Sequence, residues 1–416
     1  MSNEIKTITL GCRLNSYESE VIKNYKNYSI NKDIIIVNTC AVTAEAERQA
    51  KQQVRKMRKN NPKAFIMATG CAVQINQKLW SSMPEVDKII SNDNKLKPSS
   101  WGLKPEVDNE VAIKEDANHL NISPKGTERT RSFVRIQNGC NHSCTFCVIT
   151  IARGSSKSVP AGKIIEEIQK TINTGSQEVI LTGVDLTSYG EDLPGNNNLG
   201  KLIKKIFKYV PKLERLRISS LDTAEIDDDL VELFKYEERL MPHLHLSLQS
   251  HDNIILKRMK RRHSPLGAEI LVDKLRSIRP NILFGADLIA GFPTENDQAF
   301  KNTLNAIERL KLTFLHVFPF SARPGTAAAK MPQTPSNIIK ERARILRDHG
   351  NQQLKKELKN SINTIQNVLV ETDEGIGHSE NFLPIKVNQA KERKMYTCKV
   401  KSIQNNMLIG DIHGHI

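Results

Sequence analysis

The sequence predicts an α/β protein in three parts: an N-terminal parallel α/β sheet domain, a central partial (β/α)6 barrel and a small C-terminal β-barrel. Short apolar runs of strand length alternate with helix-length segments from residue 5 to about residue 70, and again from 133 to 318. Each strand-like run of the first region ends at a cysteine, and the first run of the second region feeds a loop that holds three more. Beyond residue 365 the pattern changes to short alternating runs with no helix between them, the mark of a small closed sheet.

In the first region, strands are expected over 5–10, 33–39 and 64–69, ending at Gly11-Cys12, Cys40 and Gly70-Cys71, with helices over 16–27 and 43–58 between them. Such βαβ units make a parallel sheet, and ligands of parallel sheets collect at the carboxyl ends of the strands. Cys12, Cys40 and Cys71 are therefore expected to converge in one crevice and to form a second metal site. The competing reading is three buried cysteines at unrelated strand ends, since free cysteine is often a packed residue. Residues 43–63 carry Arg48, Lys51, Arg55, Lys56, Arg58, Lys59 and Lys63, a run that reads as a solvated helix face or a phosphate contact. Residues 92–131 turn polar, with Pro98, Gly102, Pro105, Pro124 and Gly126, and read as a linker. The first domain is placed at 1–115.

The second region, placed at 127–362, has candidate strands at 133–137, 177–182, 213–219, 243–249, 282–289 and 313–318. Helical segments are expected near 161–174, 198–209, 227–236, 264–278 and 295–310. A barrel of this kind carries its chemistry on the carboxyl-end face of the strands, so the cysteine loop after the first strand opens onto that face. Gly183, Ser219, Gln249 and Asp287 stand at or near other strand ends; a glycine there either admits a ligand to the backbone or serves an ordinary turn. The run 257–263 is basic or histidine except for Met259 and is expected to touch phosphate. A charged helix over about 336–362 leads to the last module, 363–416, with strand-like runs at 368–370, 383–387, 396–400 and 407–410. That module reads as an oligonucleotide-binding barrel or as a structural cap. Cys398 lies inside one of its runs and reads as a packed residue.

The loop over 139–147 places Cys140, Cys144 and Cys147 at the spacing C-x3-C-x2-C. Three thiolates on a four-iron cluster leave one iron open to a small molecule. Zinc held by these cysteines with His142, or cysteines that only pack, are the alternatives, although structural zinc sites usually draw on two separated pairs. Phe146 directly precedes the third cysteine, and in this the loop resembles the signature of the radical S-adenosylmethionine (SAM) superfamily.

Composition sets the context. With 61 Lys+Arg against 46 Asp+Glu the formal charge is +15, which suits a polyanionic partner, and aromatics at 5% leave phosphate and shape contacts to carry the binding. The amino terminus has no basic segment followed by an apolar run, and no apolar stretch approaches membrane-spanning length. The expectation is a cytoplasmic protein with no membrane partner, whose seven cysteines stay reduced and serve metal or catalysis before disulfides.

Thr9-Leu10-Gly11-Cys12-Arg13-Leu14-Asn15-Ser16-Tyr17-Glu18, Val37-Asn38-Thr39-Cys40, Ala68-Thr69-Gly70-Cys71 and the cysteine loop with Arg153-Gly154 resemble the methylthiotransferases of the radical SAM superfamily. The C-terminal segment is similar to their TRAM domain. The stretches 243–250, 316–326 and 377–382 resemble the branch that acts on N6-threonylcarbamoyladenosine at position 37 of tRNA. Relatives that act on isopentenyladenosine in tRNA or on a ribosomal protein aspartate share the six cysteines. The resemblance implies two [4Fe–4S] clusters, one on Cys140, Cys144 and Cys147 that chelates and cleaves SAM, and one on Cys12, Cys40 and Cys71 that carries the sulfur. It further implies that Phe146, Gly183, Ser219, Gln249 and Asp287 position SAM, that the tRNA anticodon stem-loop is bound, and that flavodoxin or ferredoxin supplies electrons. Val184-Asp185 after Gly183 departs from the glycine pair and acid often found in the superfamily. A zinc-dependent RNA-binding protein, an electron carrier and a radical SAM methyltransferase are the competing classes.

Overall fold

The computed structural model of the chain describes residues 5–24, 28–29, 33–102, 104–105 and 130–415. The amino-terminal unit is a parallel sheet of β1 (Ile5–Thr9), β2 (Ile34–Thr39), β3 (Phe65–Gly70) and β4 (Lys88–Ile89), in that spatial order. β2 is buried along its whole length, as a strand covered on both faces must be. The crossovers carry α1 (Arg13–Lys23) and α2 (Ala44–Asn60). Thr43 starts α2 by accepting from the Ala46 amide at 3.1 Å, and Glu45 and Glu47 sit in its positive first turn. Ala50, Val54 and Met57 form its buried stripe, while Arg48, Lys51 and Arg58 pair with Glu45, Glu47 and Asp87. This basic run is thus mainly a solvated, locally paired face.

Part of the expected linker is packed instead. Lys95 and Trp101 are 1% and 2% exposed, and the Trp101 indole donates to the Lys95 carbonyl at 2.8 Å. A buried lysine looks like linker polarity in the sequence because its counterion, Glu18, lies 77 positions away. The junction expected between 115 and 127 lies outside the described residues.

The central unit has six parallel strands: β5 (Arg131–Arg135), β6 (Glu178–Thr182), β7 (Arg215–Ile218), β8 (His243–Gln249), β9 (Leu283–Ala290) and β10 (Leu312–Pro319). They form two three-stranded sheets, β5–β6–β7 and β8–β9–β10, joined by single bridges at Leu216–Leu240 and Leu221–Leu246. β5 and β10 remain as edges, so the barrel is open. Helices at Ala161–Asn173, Leu199–Tyr209, Asp228–Tyr236, Pro265–Ile278 and Asp297–Arg309 pack around it over an aliphatic core, each near the position its periodicity predicts.

α1 is buried on nearly every side, because the barrel covers the face that a free α/β domain would show to water. Leu14, Tyr17 and Val21 share one apolar cluster with Ile36 of the first sheet and with half-buried Phe133 and Val184 of the barrel. A second shared cluster joins Cys71, Ala72 and Val73 to Val148 and Ala152, just after the cysteine loop. The first sheet is therefore docked, strand ends inward, on the loops that follow the barrel strands.

After the helix Ser336–Asn360, five strands close a small barrel: Ile365–Val370, Ile376–Ser379, Pro384–Asn388, Met407–His415 and Met395–Gln404 in spatial order. The strand Ile376–Ser379 has no clear alternation in sequence. A Cβ at its Gly377 would stand 1.9 Å from the Leu369 carbonyl, so strand contact, not apolar pattern, selects its residue there. Cys398 is fully buried in the core of this barrel, as expected of a packed residue. From the turn that follows, Phe382 (φ +74°) places its ring between His243 and His378, at 4.9 and 4.5 Å, with the Arg217 guanidinium 4.9 Å away. The small barrel thereby stoppers the amino ends of the large barrel's strands and leaves their carboxyl ends to the site.

Candidate functional site

The site is built where the two parallel sheets meet. Asn15 organises its amino-terminal half: its amide donates to the carbonyls of Leu10 at 2.7 Å and Thr39 at 3.1 Å, just ahead of Cys12 and Cys40. Thr39 in turn donates to the Thr69 carbonyl at 2.7 Å, two residues before Cys71. Because the three strands are adjacent, this ladder brings Cys12, Cys40 and Cys71 to one edge, with Cys12 exposed and the other two buried. Gly11 (φ +104°) is required by this approach, since a Cβ there would stand 2.9 Å from the Cys40 sulfur. Burial pushes the Cys40 thiol up to about 11, with amide donors from Ala41 and Val42 opposing and the neighbouring Cys12 and Cys71 adding to it.

The second half is the loop over 139–147. The His142 amide donates to the Cys140 sulfur and the Ile149 amide to the Cys147 sulfur, both at 3.4 Å, and the Arg261 guanidinium donates to the Cys144 sulfur at 3.6 Å. Burial drives Cys140 up to about 12 and Cys147 up to about 11. The Cys140 and Cys147 sulfurs, which already accept N–H donors yet are held protonated by burial, are suited to a cation that would stabilise their thiolates. The donor set fits an iron–sulfur cluster at each triad. Cys71 packs in one apolar cluster with Val148, the residue after Cys147, so the two triads are neighbours.

A buried ion cluster fastens the halves together. Glu18 of α1 receives the Arg153 guanidinium at 2.8 Å and also the Lys95 ammonium, and Arg153 donates to Asn15 at 2.6 Å. Burial alone would raise Glu18, but Arg153 and Lys95 outweigh it and hold the carboxyl down to about 2. Two basic groups thus share one carboxylate, and burial lowers the pKa of Lys95 despite its pairing with Glu18. Glu18→Ala is expected to destabilise the protein by about 3–5 kcal/mol by stranding two buried cations, read as a lowered midpoint in denaturant unfolding.

The other sequence-predicted residues are spread over the carboxyl ends. Phe146 packs edge-on against Phe292, with centroids 6.5 Å apart. Gly183 sits in a tight cradle, where a Cβ would stand 2.9 Å from the Gln137 carbonyl, and Gln137 accepts the amides of Val184 and Asp185 at 3.0 and 2.9 Å. Ser219 accepts a hydrogen bond from Arg13 at 3.2 Å. Gln249 takes a positive φ of 65° at the bulged end of β8. Asp287 is held on adjacent strands by His245 at 3.1 Å and His316 at 3.2 Å; these histidines outweigh its burial and keep it well below the ordinary carboxyl range. Asp287 and Ser219 thus already have partners, and neither is in direct contact with the cysteine loop among the contacts described.

Two sequence readings change in detail. Arg261 and His263, expected to face phosphate, turn inward to Asp222 at 2.7 and 3.3 Å. His263 and Arg261 outweigh burial and hold Asp222 down to about 2. A basic run offers no sequence signal for which of its members has a buried partner. His142 bonds Asp185 at 2.6 Å and, with Cys140, could hold a metal ion on its own, although the remaining two thiols would then be left over. A cleft of about 170 Å³ opens beside these groups, lined in part by Asn141, Cys144, Asp222 and Lys260. The contacts of Glu18 and Lys95 were not foreseen; Arg13 drew notice only by its adjacency to Cys12, and Asp185 only as part of the departure after Gly183.

An open six-stranded barrel with a three-cysteine loop after its first strand defines the radical SAM class. Residues 134–307 match the Radical SAM superfamily, and residues 4–91 match a family described as Uncharacterized protein family UPF0004. The solved structure of the cobalamin-dependent S-adenosylmethionine radical enzyme OxsB is similar in fold, with a TM-score of 0.50 over 83% of this chain and 56% of that one at 10% identity. The chain is 49% identical to the threonylcarbamoyladenosine tRNA methylthiotransferase MtaB of Rickettsia prowazekii (strain Madrid E), over 92% of its own length and 91% of the relative's. It is 32% identical to the tRNA-2-methylthio-N(6)-dimethylallyladenosine synthase of Pelagibacter ubique (strain HTCC1062), over 89% and 87%. The chain belongs to the radical SAM methylthiotransferase family and is an enzyme of that kind. Among the described residues no helix is long and apolar enough to cross a membrane.

Proposed function

We propose that this enzyme adds a methylthio group to C2 of N6-threonylcarbamoyladenosine at position 37 of tRNA, using one [4Fe–4S] cluster on Cys140, Cys144 and Cys147 and a second on Cys12, Cys40 and Cys71. The observation that carries the reading is the pair of neighbouring cysteine triads, each one ligand short of a closed cluster. The higher identity to the threonylcarbamoyladenosine enzyme, 49% against 32%, supports the substrate. Because C2 carries an unactivated C–H bond that no side-chain base removes readily, the bound clusters and SAM supply the radical chemistry.

The chain's own residues set the geometry. Gln137 fixes the turn at Gly183, where backbone can approach SAM, and Asp185 stands beside Cys140 to meet the amino group of SAM in place of the usual acid. Arg261, anchored by Asp222, donates to the Cys144 sulfur and orients it. The Glu18–Arg153 pair keeps the sulfur-bearing triad in register with the SAM-cleaving one. The anticodon stem-loop approaches from the carboxyl-end face, helped by the basic charge, and a one-electron donor of the flavodoxin or ferredoxin class completes the set of partners.

The test is anaerobic turnover of reconstituted protein with SAM and reductant on two tRNAs, one with threonylcarbamoyladenosine and one with isopentenyladenosine, read by nucleoside mass spectrometry. A methylthio mass shift on the first alone is expected. A shift on the second alone keeps the chemistry and replaces the substrate; no shift on either, with both clusters intact, sends the search to a protein substrate.

A further inference from the structure

We infer that Arg13 is the residue that reads the substrate, by binding the carboxylate of its threonyl group. The inference rests on the threonylcarbamoyladenosine reading above and concerns how that substrate is told apart from an uncharged one.

Arg13 is the first residue of α1 and follows Cys12 directly, yet its side chain crosses into the barrel and donates to Ser219 at the end of β7 at 3.2 Å. That hydroxyl is neutral. Four other buried or half-buried arginines of this region have carboxylates: Arg131 has Glu371, Arg153 has Glu18, Arg217 has Glu178 and Arg261 has Asp222. Among the described residues no carboxylate comes within ion-pair distance of Arg13. The nearby acids are committed elsewhere, Glu178 to Arg215 and Arg217 and Asp287 to two histidines. The guanidinium is short of an anion, so a ligand carboxylate that completes it gains a charge-assisted, bidentate contact.

Two carboxylates enter this site. That of SAM would be taken by the open iron of a cluster on Cys140, Cys144 and Cys147. The threonyl carboxylate hangs from N6, beside N1 and so next to the ring edge that carries C2, and C2 must lie near the sulfur-bearing triad to which Arg13 is joined in sequence. The isopentenyl group of the alternative substrate has no charge and would leave Arg13 unpaired, a penalty that works as discrimination.

The experiment compares anticodon stem-loops bearing N6-threonylcarbamoyladenosine, its threonyl methyl ester, or isopentenyladenosine, with reconstituted wild type, Arg13→Gln and Arg13→Lys. Wild type is expected to prefer acid to ester by about 10- to 100-fold in kcat/KM, the range of a charged hydrogen bond. Arg13→Gln should bring that ratio close to one, and Arg13→Lys should keep most of it, which a folding defect would not do. An acid-to-ester ratio in Arg13→Gln equal to that of wild type overturns the inference and leaves the substrate reading standing. Loss of 5′-deoxyadenosine formation from SAM without RNA in Arg13→Gln assigns the residue to SAM's own carboxylate and also overturns it. Wild-type turnover of the isopentenyl stem-loop alone overturns the substrate reading and this inference together.

Discussion

Replacing Cys147 with alanine is expected to reduce 5′-deoxyadenosine formation to background, and methylthio product with it. Cys147 is one of three thiols in its loop, and its sulfur already receives the Ile149 amide at 3.4 Å, an arrangement an alanine cannot reproduce. Two remaining thiolates cannot hold a cluster with one open iron firmly, and the surroundings offer poor substitutes. The nearest alternative donors, His142 and Asp185, are bonded to each other at 2.6 Å. Iron should fall by roughly half, from about eight to about four atoms per chain, because the second triad does not depend on this thiol. Cys398→Ser is the control: its thiol lies in the core of the small barrel, away from both triads, and iron content and product should match wild type. Full SAM cleavage by the Cys147 variant would sink the assignment of this loop.

Cys71→Ala is expected to abolish methylthio product equally but by a different route. Its iron should also fall by roughly half, yet SAM should still be cleaved, since the 140–147 loop keeps its three sulfurs. The separation of these two readouts is the signature of a division of labour between the triads. Cys71 opens the helix Cys71–Ile75 against Val148 and Ala152, so some loss of stability is expected from the cavity as well. Cys12→Ala gives the cleaner version of the test, because Cys12 is exposed and its loss leaves no buried cavity. Product from either variant at the wild-type rate would remove the second cluster from the mechanism.

Much of this organisation was legible in sequence. The βα alternation predicts six barrel strands, and the structure has them at 131–135, 178–182, 215–218, 243–249, 283–290 and 312–319, within a few residues of expectation. The predicted convergence of Cys12, Cys40 and Cys71 is met because their strands are neighbours in the sheet. The strand Ile376–Ser379 was not legible, since Gly377 answers to a carbonyl across the sheet and not to a period. Nor was the packing of Lys95, whose polarity reads as linker until Glu18 is seen beside it.

The sequence by itself determined most element types, the order of the three parts, the presence of two cysteine triads and the family. These follow from local backbone preference and from residue spacing, both of which are written along the chain. Only the tertiary structure decided that the triads are neighbours, that Glu18, Arg153 and Lys95 tie the amino-terminal unit to the barrel, that Arg261 and His263 turn inward to Asp222, and that Arg13 reaches the barrel without a carboxylate of its own. The reason is physical: whether a charge is paired or left for a ligand depends on what packs against it from distant parts of the chain, and burial makes that difference large.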